Sequence, residues 1–391
     1  MARMILNETA YFGAGCRSEL APELIKRGMK KAFIVTGETL LKHGVVKMVT
    51  DVLDGAGVTY SIFTDIKANP TIENVKAGLK AFEECKPDVI IAIGGGSNMD
   101  TAKAIGIIVT NPDFADVKSL EGVADTKNKS FPLICFATTS GTAAEVTINY
   151  VITDEEAGRK LVCVDANDIP MIAFNDAEMM TSMPKGLTAA TGMDALTHAI
   201  EGYITPGANP VSEMMSWNAI KFISENLRAA VKDGNDLKAR EGMAYGSYVA
   251  GMAFSNVGLG IVHSMAHPLG ARFDIAHGVA NAVLLPYVME YNQCAAKKKY
   301  GDIARAMGVD VKGMTEDEAA DAAIAAVKKL AKDVDIPETI KELKNKATGE
   351  ALVKESDLPM LSEDAFRDPC TGGNPRKTSV EEILEIYKKA Y

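Results

Sequence analysis

No stretch of this chain approaches the roughly 20 consecutive apolar residues that a membrane-spanning helix requires. Paired cysteines are missing too. Cys16, Cys85, Cys135, Cys163, Cys294 and Cys370 stand far apart with no CxxC, the pattern of reduced cytosolic thiols rather than of a disulfide framework. Positive charge is in deficit: 42 Lys and Arg against 52 Asp and Glu leave a net −10. Phosphate backbones are bound by clustered Lys and Arg, so a nucleic-acid partner is not expected. The opening "MARMILNETAYFG" lacks the apolar core of a secretory signal. The expectation is a cytoplasmic protein with neither membrane nor nucleic acid as partner. With 391 residues, 47% hydrophobic and 24% charged, the chain has the composition of a globular protein large enough for two domains.

Histidine is scarce as well, five in the whole chain, yet His263, His267 and His277 fall within "GIVHSMAHPLGARFDIAHGVANAV". That concentration asks for a reason, and the organisation of the chain supplies its setting. "KAFIVTG" (31–37), "VTYSIFTDI" (58–66), "DVIIAIGGGS" (88–97) and "FPLICFATTSGT" (131–142) read as buried strands. Between them lie helix-like stretches such as 69–85, opened by a Pro turn. Buried strands alternating with amphipathic helices indicate a parallel sheet covered on both faces. Beyond residue 184 strand signals fade and helical patterns dominate, as in "GLTAATGMDALTHAIEGYI" and "EDEAADAAIAAVKKLAKDV". The boundary is placed near "SMPKGL", giving an α/β domain over 1–184 and an all-helical domain over 185–391. Residues 344–378, poor in apolar side chains, read as loop with short helical pieces.

"VIIAIGGGSNMD" ends a strand in three glycines and opens a helix near Ser97. Glycine lets a backbone approach a ligand, and a helix N-terminus offers free N–H groups to phosphate. The spacing is not G-x-G-x-x-G, so the usual dinucleotide fingerprint is absent. "ATTSGTAAEV" (137–146) is a second polar strand exit. Two such exits on one sheet favour a phosphate or dinucleotide site over a plain tight turn.

In "TGMDALTHAIE", Asp194 and His198 stand four apart on a helical pattern and so share one face. His263 and His267 repeat that spacing, with Pro268 behind them as a candidate kink, and His277 stands at the entry to the next helix. Any one of these imidazoles alone suits a core. Together with a carboxylate they match a divalent transition metal: Fe(II), Zn or Mn.

The chain resembles the iron-dependent (group III) alcohol dehydrogenases nearly end to end. The resemblance is carried by "RMILNETAYFG", "NPTI", "IAIGGGS", "EVTINYVITDEE", "TGMDALTHAIEGYIT", "GMAFSNVGLGIVHSMAHPLG", "HGVANAVLLP" and "CTGGNPR". It implies a dehydroquinate-synthase-like fold, an N-terminal dinucleotide-binding α/β domain followed by a helical metal domain. It implies Fe(II) on Asp194, His198, His263 and His277, with His267 beside the metal as the proton-handling residue. It further implies NAD on Asn69, Gly95, Gly96, Ser97, Asp100, Thr138, Thr139 and Lys160, and a substrate lined by Asn149, Phe254 and Cys370. The activity implied is hydride transfer between NAD(H) and a short alcohol–aldehyde pair, first lactaldehyde and 1,2-propanediol, with 1,3-propanediol, butanol and methanol as competitors. A homodimer is expected.

One departure stands out. Where the family carries an Asp that accepts the adenosine ribose and repels a 2′-phosphate, "VTGETL" has Gly37, so NADP use is expected beside NAD. Three rivals fit less well. A dehydroquinate-synthase-type lyase needs basic residues near the metal, and this segment offers only Arg272. A glycerol-dehydrogenase-like zinc enzyme is nearer. A non-catalytic nucleotide- or aldehyde-binding scaffold would have no need of the intact ligand set.

Overall fold

The computed structural model describes residues 3–345 and 347–391. The chain divides into two compact units, one formed by Arg3–Met183 with Gly234–Ala244, the other essentially by Pro184–Asp233 with Tyr245–Tyr391.

The first unit is built on six parallel strands: β1 (Thr9–Phe12), β2 (Lys31–Thr36), β3 (Thr59–Phe63), β4 (Val89–Gly94), β6 (Leu133–Ala137) and β9 (Ile172–Asn175), in the order β1-β9-β6-β4-β2-β3. β4 and β6 are buried at every residue, as a sheet covered on both faces requires. The covering helices are α1 (Leu20–Arg27), α2 (Glu38–Lys42), α3 (Val45–Gly55), α4 (Ile72–Cys85) and α5 (Gly96–Thr110). α4 starts where Thr71 and Asn74 form a capping box, so the Pro70 turn is followed by a defined N-terminus. One core cluster packs Phe33, Phe82 and Ile105 on one face of the sheet; another packs Leu24, Ile91 and Phe136 on the other.

Five strands escape the sequence reading. β1 and β9 are only four residues long. The other three, β5 (Gly122–Val123), β7 (Asn149–Asp154) and β8 (Arg159–Val164), make a separate small sheet in which β7 and β8 pair antiparallel. β7 alternates half-buried and buried residues, a period of two rather than a continuous apolar run.

The second unit holds helices α6 (Lys185–Ile204), α7 (Pro210–Lys232), α9 (Ile261–Phe273), α10 (His277–Ala306), α11 (Glu316–Asp333), α12 (Leu358–Arg367) and α13 (Val380–Ala390). α8 (Leu237–Val257) begins in the first unit and continues in the second. Among the described residues no named strand lies beyond β9. Two local readings are corrected. α9 runs through Pro268 without a break, since a missing donor costs one bond while the buried turn around it supplies the packing. The 344–378 stretch contains α12, a full ten-residue amphipathic helix rather than a short piece; Lys346 and the first two residues of the N-terminal reading lie outside the described residues. No single helix among the described residues is long and apolar enough to cross a membrane.

Candidate metal centre

α6 is apolar nearly all round and buried along its last three turns, so any polar side chain there must find partners inside the protein. Besides its threonines and Tyr203, its buried polar side chains are Asp194, His198 and Glu201, at i, i+4 and i+7, which form one stripe. α9 adds His263 in its first turn and His267 one turn later; α10 adds His277 as its first residue and Asn281 one turn later. α10 can come this close because residue 278 is glycine: a Cβ there would lie 2.4 Å from the Ala190 carbonyl oxygen.

One ligand atom from each of Asp194, His198, His263 and His277 lies within 4.8 Å of every other. The Asn281 amide nitrogen marks the point they share. It donates to Asp194 Oδ1 at 2.7 Å and stands 3.1 Å from Nε2 of both His263 and His277. Three acceptors turned on one point, with two carboxylates in the neighbourhood, form a donor set that suits a cation. The residues therefore fit the metal that the sequence implied. Burial pushes the His263 imidazole down to about 4, so it is neutral at pH 7, the form that binds metal.

Glu201 was not anticipated. Its Oε2 lies 2.5 Å from His263 Nδ1, and its Oε1 accepts the Val262 N–H at 2.8 Å. Burial pushes its carboxyl up to about 7, opposed by the Val262 and Gly260 N–H groups and by nearby His198. The i+3 spacing from His198 was the available signal. Phe254, read as a substrate contact, stacks on the His198 ring at 4.1 Å and 10°, which makes it a wall of the cluster.

His267 stands beside this set rather than within it. Its Nδ1 is 2.7 Å from Asp368 Oδ2, and its ring stacks on His277 at 5.5 Å between centroids. Asp368 accepts the Cys370 N–H at 2.9 Å, and His267, Asp368 and Cys370 converge within 4.8 Å. Burial raises the Asp368 carboxyl, but His267 and Cys370 outweigh it and hold the group below the usual carboxylate range. Burial raises the Cys370 thiol well above its ordinary value. Asp368 is a second residue that the sequence reading missed; no periodicity ties it to α9.

In the first unit the structure gathers most of the cofactor candidates at the carboxyl ends of β2, β4 and β6. Gly94 pairs with Ala137 in register, and the Thr138 N–H donates to the Gly94 carbonyl at 3.0 Å, so the two polar exits leave side by side. A Cβ on Gly95 would lie 3.1 Å from Thr139 Oγ1, and one on Gly96 3.0 Å from Thr142 Cγ2, a crossing that only glycine passes freely. Gly37 caps α2 with its Cβ position 3.9 Å from the Asn98 amide. Ser97 Oγ donates to the Ala68 carbonyl, next to Asn69. Asp100 accepts the Val151 N–H at 3.2 Å, and Lys160 on β8 is close enough to pull its carboxyl down against the burial that raises it to about 6. The Asn149 carbonyl accepts from Lys103 Nζ at 2.9 Å.

Known proteins carry the same architecture. Residues 7–177 match the iron-containing alcohol dehydrogenase family, and residues 188–391 match its C-terminal Fe-containing part. The chain is 54% identical over 389 residues to lactaldehyde reductase of Escherichia coli K12, covering 100% of this chain and 99% of that one. A crystal structure of 1,3-propanediol oxidoreductase superimposes with a TM-score of 0.95 at 41% identity, over 100% of both chains. The sulfoacetaldehyde reductase of Bifidobacterium kashiwanohense, solved in complex with NAD+, superimposes with a TM-score of 0.87 at 28% identity, over 100% of this chain and 98% of that one. The chain belongs to the iron-containing alcohol dehydrogenase family and is an oxidoreductase.

Proposed function

We propose that this enzyme interconverts lactaldehyde and 1,2-propanediol with NAD(H), and that Asp194, His198, His263 and His277 hold its Fe(II). The observation that carries the reading is the convergence of four donor side chains from α6, α9 and α10 on one buried point. The substrate follows from the 54% identity to lactaldehyde reductase across the full chain. Residues 1–184 act as the cofactor domain and 185–391, apart from the Gly234–Ala244 segment that packs in the first unit, as the metal domain of a cytoplasmic homodimer.

Bound in this site, a divalent cation supplies Lewis acidity toward the aldehyde or alcohol oxygen, and a nicotinamide supplies or takes the hydride. The chain does the rest. Neutral His263 presents a lone pair, His198 and His277 add ring nitrogens, and Asp194 adds a carboxylate oxygen. His267, held by Asp368 through Nδ1, leaves Nε2 to take the alcohol proton in oxidation and to return it in reduction. Gly95, Gly96 and Ser97 open α5 toward the pyrophosphate, and Asp100, Thr138, Thr139, Asn69 and Lys160 position the rest of the dinucleotide. Asn149 and Cys370 border the substrate. With Gly37 in place of a carboxylate, NADPH is accepted measurably, although NADH is preferred.

The test is a substrate panel on apo-enzyme reconstituted in turn with Fe(II), Zn and Mn, each assayed with NADH and NADPH. Lactaldehyde is expected to give the highest kcat/KM, with Fe(II), and a chelator to abolish it. Faster turnover of the 1,3-propanediol aldehyde under the same conditions would reassign the substrate.

A further inference from the structure

Glu201 has a geometry that the ligand set alone does not explain. It is 3% exposed and carries two acceptor oxygens with different partners. Oε1 takes the N–H of Val262, one of the first-turn donors that a helix leaves unsatisfied. Oε2 meets Nδ1 of His263. The geometry settles which ring nitrogen bears the proton. The Asn281 amide NH2, which only donates, stands 3.1 Å from Nε2, so Nε2 carries the lone pair and Nδ1 is the nitrogen that donates to Oε2.

We infer that Glu201 is a positioning residue for the metal: by taking the Nδ1 proton of His263 it fixes the tautomer and ring angle in which Nε2 can ligate. The inference rests on the metal reading above and extends it to a residue that touches no metal. Partners of this kind are general around metal-bound imidazoles, and losing one costs about 10- to 100-fold in affinity. α6 thereby contributes three times to one centre, through Asp194, His198 and Glu201.

Glu201→Gln separates this role from simple helix capping. Glutamine has nearly the same shape but only one acceptor oxygen for two donors. If its oxygen keeps the Val262 N–H, its NH2 faces Nδ1 and forces the His263 proton onto Nε2, toward the metal. The full-length apo-protein is titrated with Zn2+ in competition with a calibrated chelator, and its melting temperature is measured without metal. The expected result is a Kd raised about 10- to 100-fold in Glu201→Gln. In a His263→Ala background the same substitution should change Kd by less than about threefold, because the two residues act through one another. An unchanged Kd with a lowered apo melting temperature would make Glu201 a cap and overturn the inference. Failure of the wild type to bind Zn2+ would instead bring down the metal reading itself. Should the variant not fold, the wild-type zinc form decides alone: 15N NMR is expected to find the His263 proton on Nδ1, and a proton on Nε2 refutes the assignment.

Discussion

Both units bury a cluster of ionisable side chains, and the two clusters are built on opposite plans. In the helical unit Asp194, His198 and His263 are buried, and one ligand atom of each, with one of half-buried His277, lies within 4.8 Å of every other. In the α/β unit Lys103 is 0% exposed, and its ammonium donates to Thr147 O, Thr147 Oγ1 and Asn149 O. Asp100, Asp168 and Glu145 all act on it electrostatically. This second cluster brings its own cation and spends its hydrogen bonds tying α5 to β7. A buried polar group must be paired or must change its charge state. Where acceptors from three helices converge on one point, the arrangement suits a cation; where both signs are present and the donors are used up, the cluster is a brace.

The comparison breaks most visibly if a ligand of the first cluster can be removed without loss. His198→Ala should lose the metal, and activity with it, while retaining NAD binding and a folded α/β unit. Elemental analysis showing full metal occupancy in that variant would end the assignment. His267→Ala sharpens the contrast inside the same unit. Its Nδ1 is engaged by Asp368 and it lies outside the four-atom group, so metal content should stay near wild type. Turnover should fall about 10²- to 10⁴-fold, the usual worth of a positioned proton-transfer group. Metal loss matching that of His198→Ala would move His267 into the ligand set.

How far the sequence could be read follows the same division. The helical cluster was legible because i, i+4 spacing puts Asp194 with His198 and His263 with His267 on shared faces, and because the chain has so few histidines elsewhere. Its supporting groups were not. Glu201 is one more acidic residue on a helix until α9 is seen to bring Nδ1 of His263 against it. Asp368 is about a hundred residues from His267, and only the tertiary fold joins them. In the α/β unit the buried runs of β2, β4 and β6 announced themselves. β7 and β8 did not, since they alternate and pair antiparallel in a small separate sheet. Lys103 and Glu145 likewise look like ordinary surface charges in sequence. Nothing local says that they are buried.

Glu145 tests whether the α/β cluster is a brace rather than a second ligand site. It is 2% exposed, and burial pushes its carboxyl from 4.5 up to about 7, with its own backbone N–H and Lys103 pulling the other way. A folded-state pKa above the unfolded value means that the group's contribution to stability is fully present below about pH 4.5. It is lost as pH rises through about 7. At pH 8 the folded chain therefore carries a buried carboxylate only partly compensated by Lys103. Glu145→Gln should stabilise the protein at pH 8 by roughly 1–3 kcal/mol and by much less at pH 5. Urea denaturation at the two pH values measures the difference. Equal effects at both would mean that Glu145 does not carry its charge into the core.

The smallest expected effect concerns Gly37, the position proposed to face the adenosine ribose of the cofactor. Gly37 has φ −92° and ψ 148°, ordinary extended backbone, and a Cβ there meets only the Asn98 amide at 3.9 Å, so aspartate fits without strain. Glu38 does not obviously replace it, since its carboxylate is exposed and engages Lys42 at 2.7 Å. Two unit charges 4 Å apart interact by about 4 kcal/mol at an effective dielectric of 20. Exposure and salt reduce this to roughly 1–2 kcal/mol, about 5- to 30-fold against a 2′-phosphate. Gly37→Asp should therefore lower kcat/KM with NADPH by that factor and spare or improve it with NADH. Aspartate at this N-cap position also supplies the side-chain acceptor that Gly37 lacks, and such a cap orders the turn independently of charge repulsion. Gly37→Asn controls for that, because asparagine caps equally well without charge. If Gly37→Asn lowers NADPH use as much as Gly37→Asp, the effect is order in the loop and not repulsion. If only Gly37→Asp does so, and the loss shrinks as salt is raised, the missing carboxylate is what lets NADPH in.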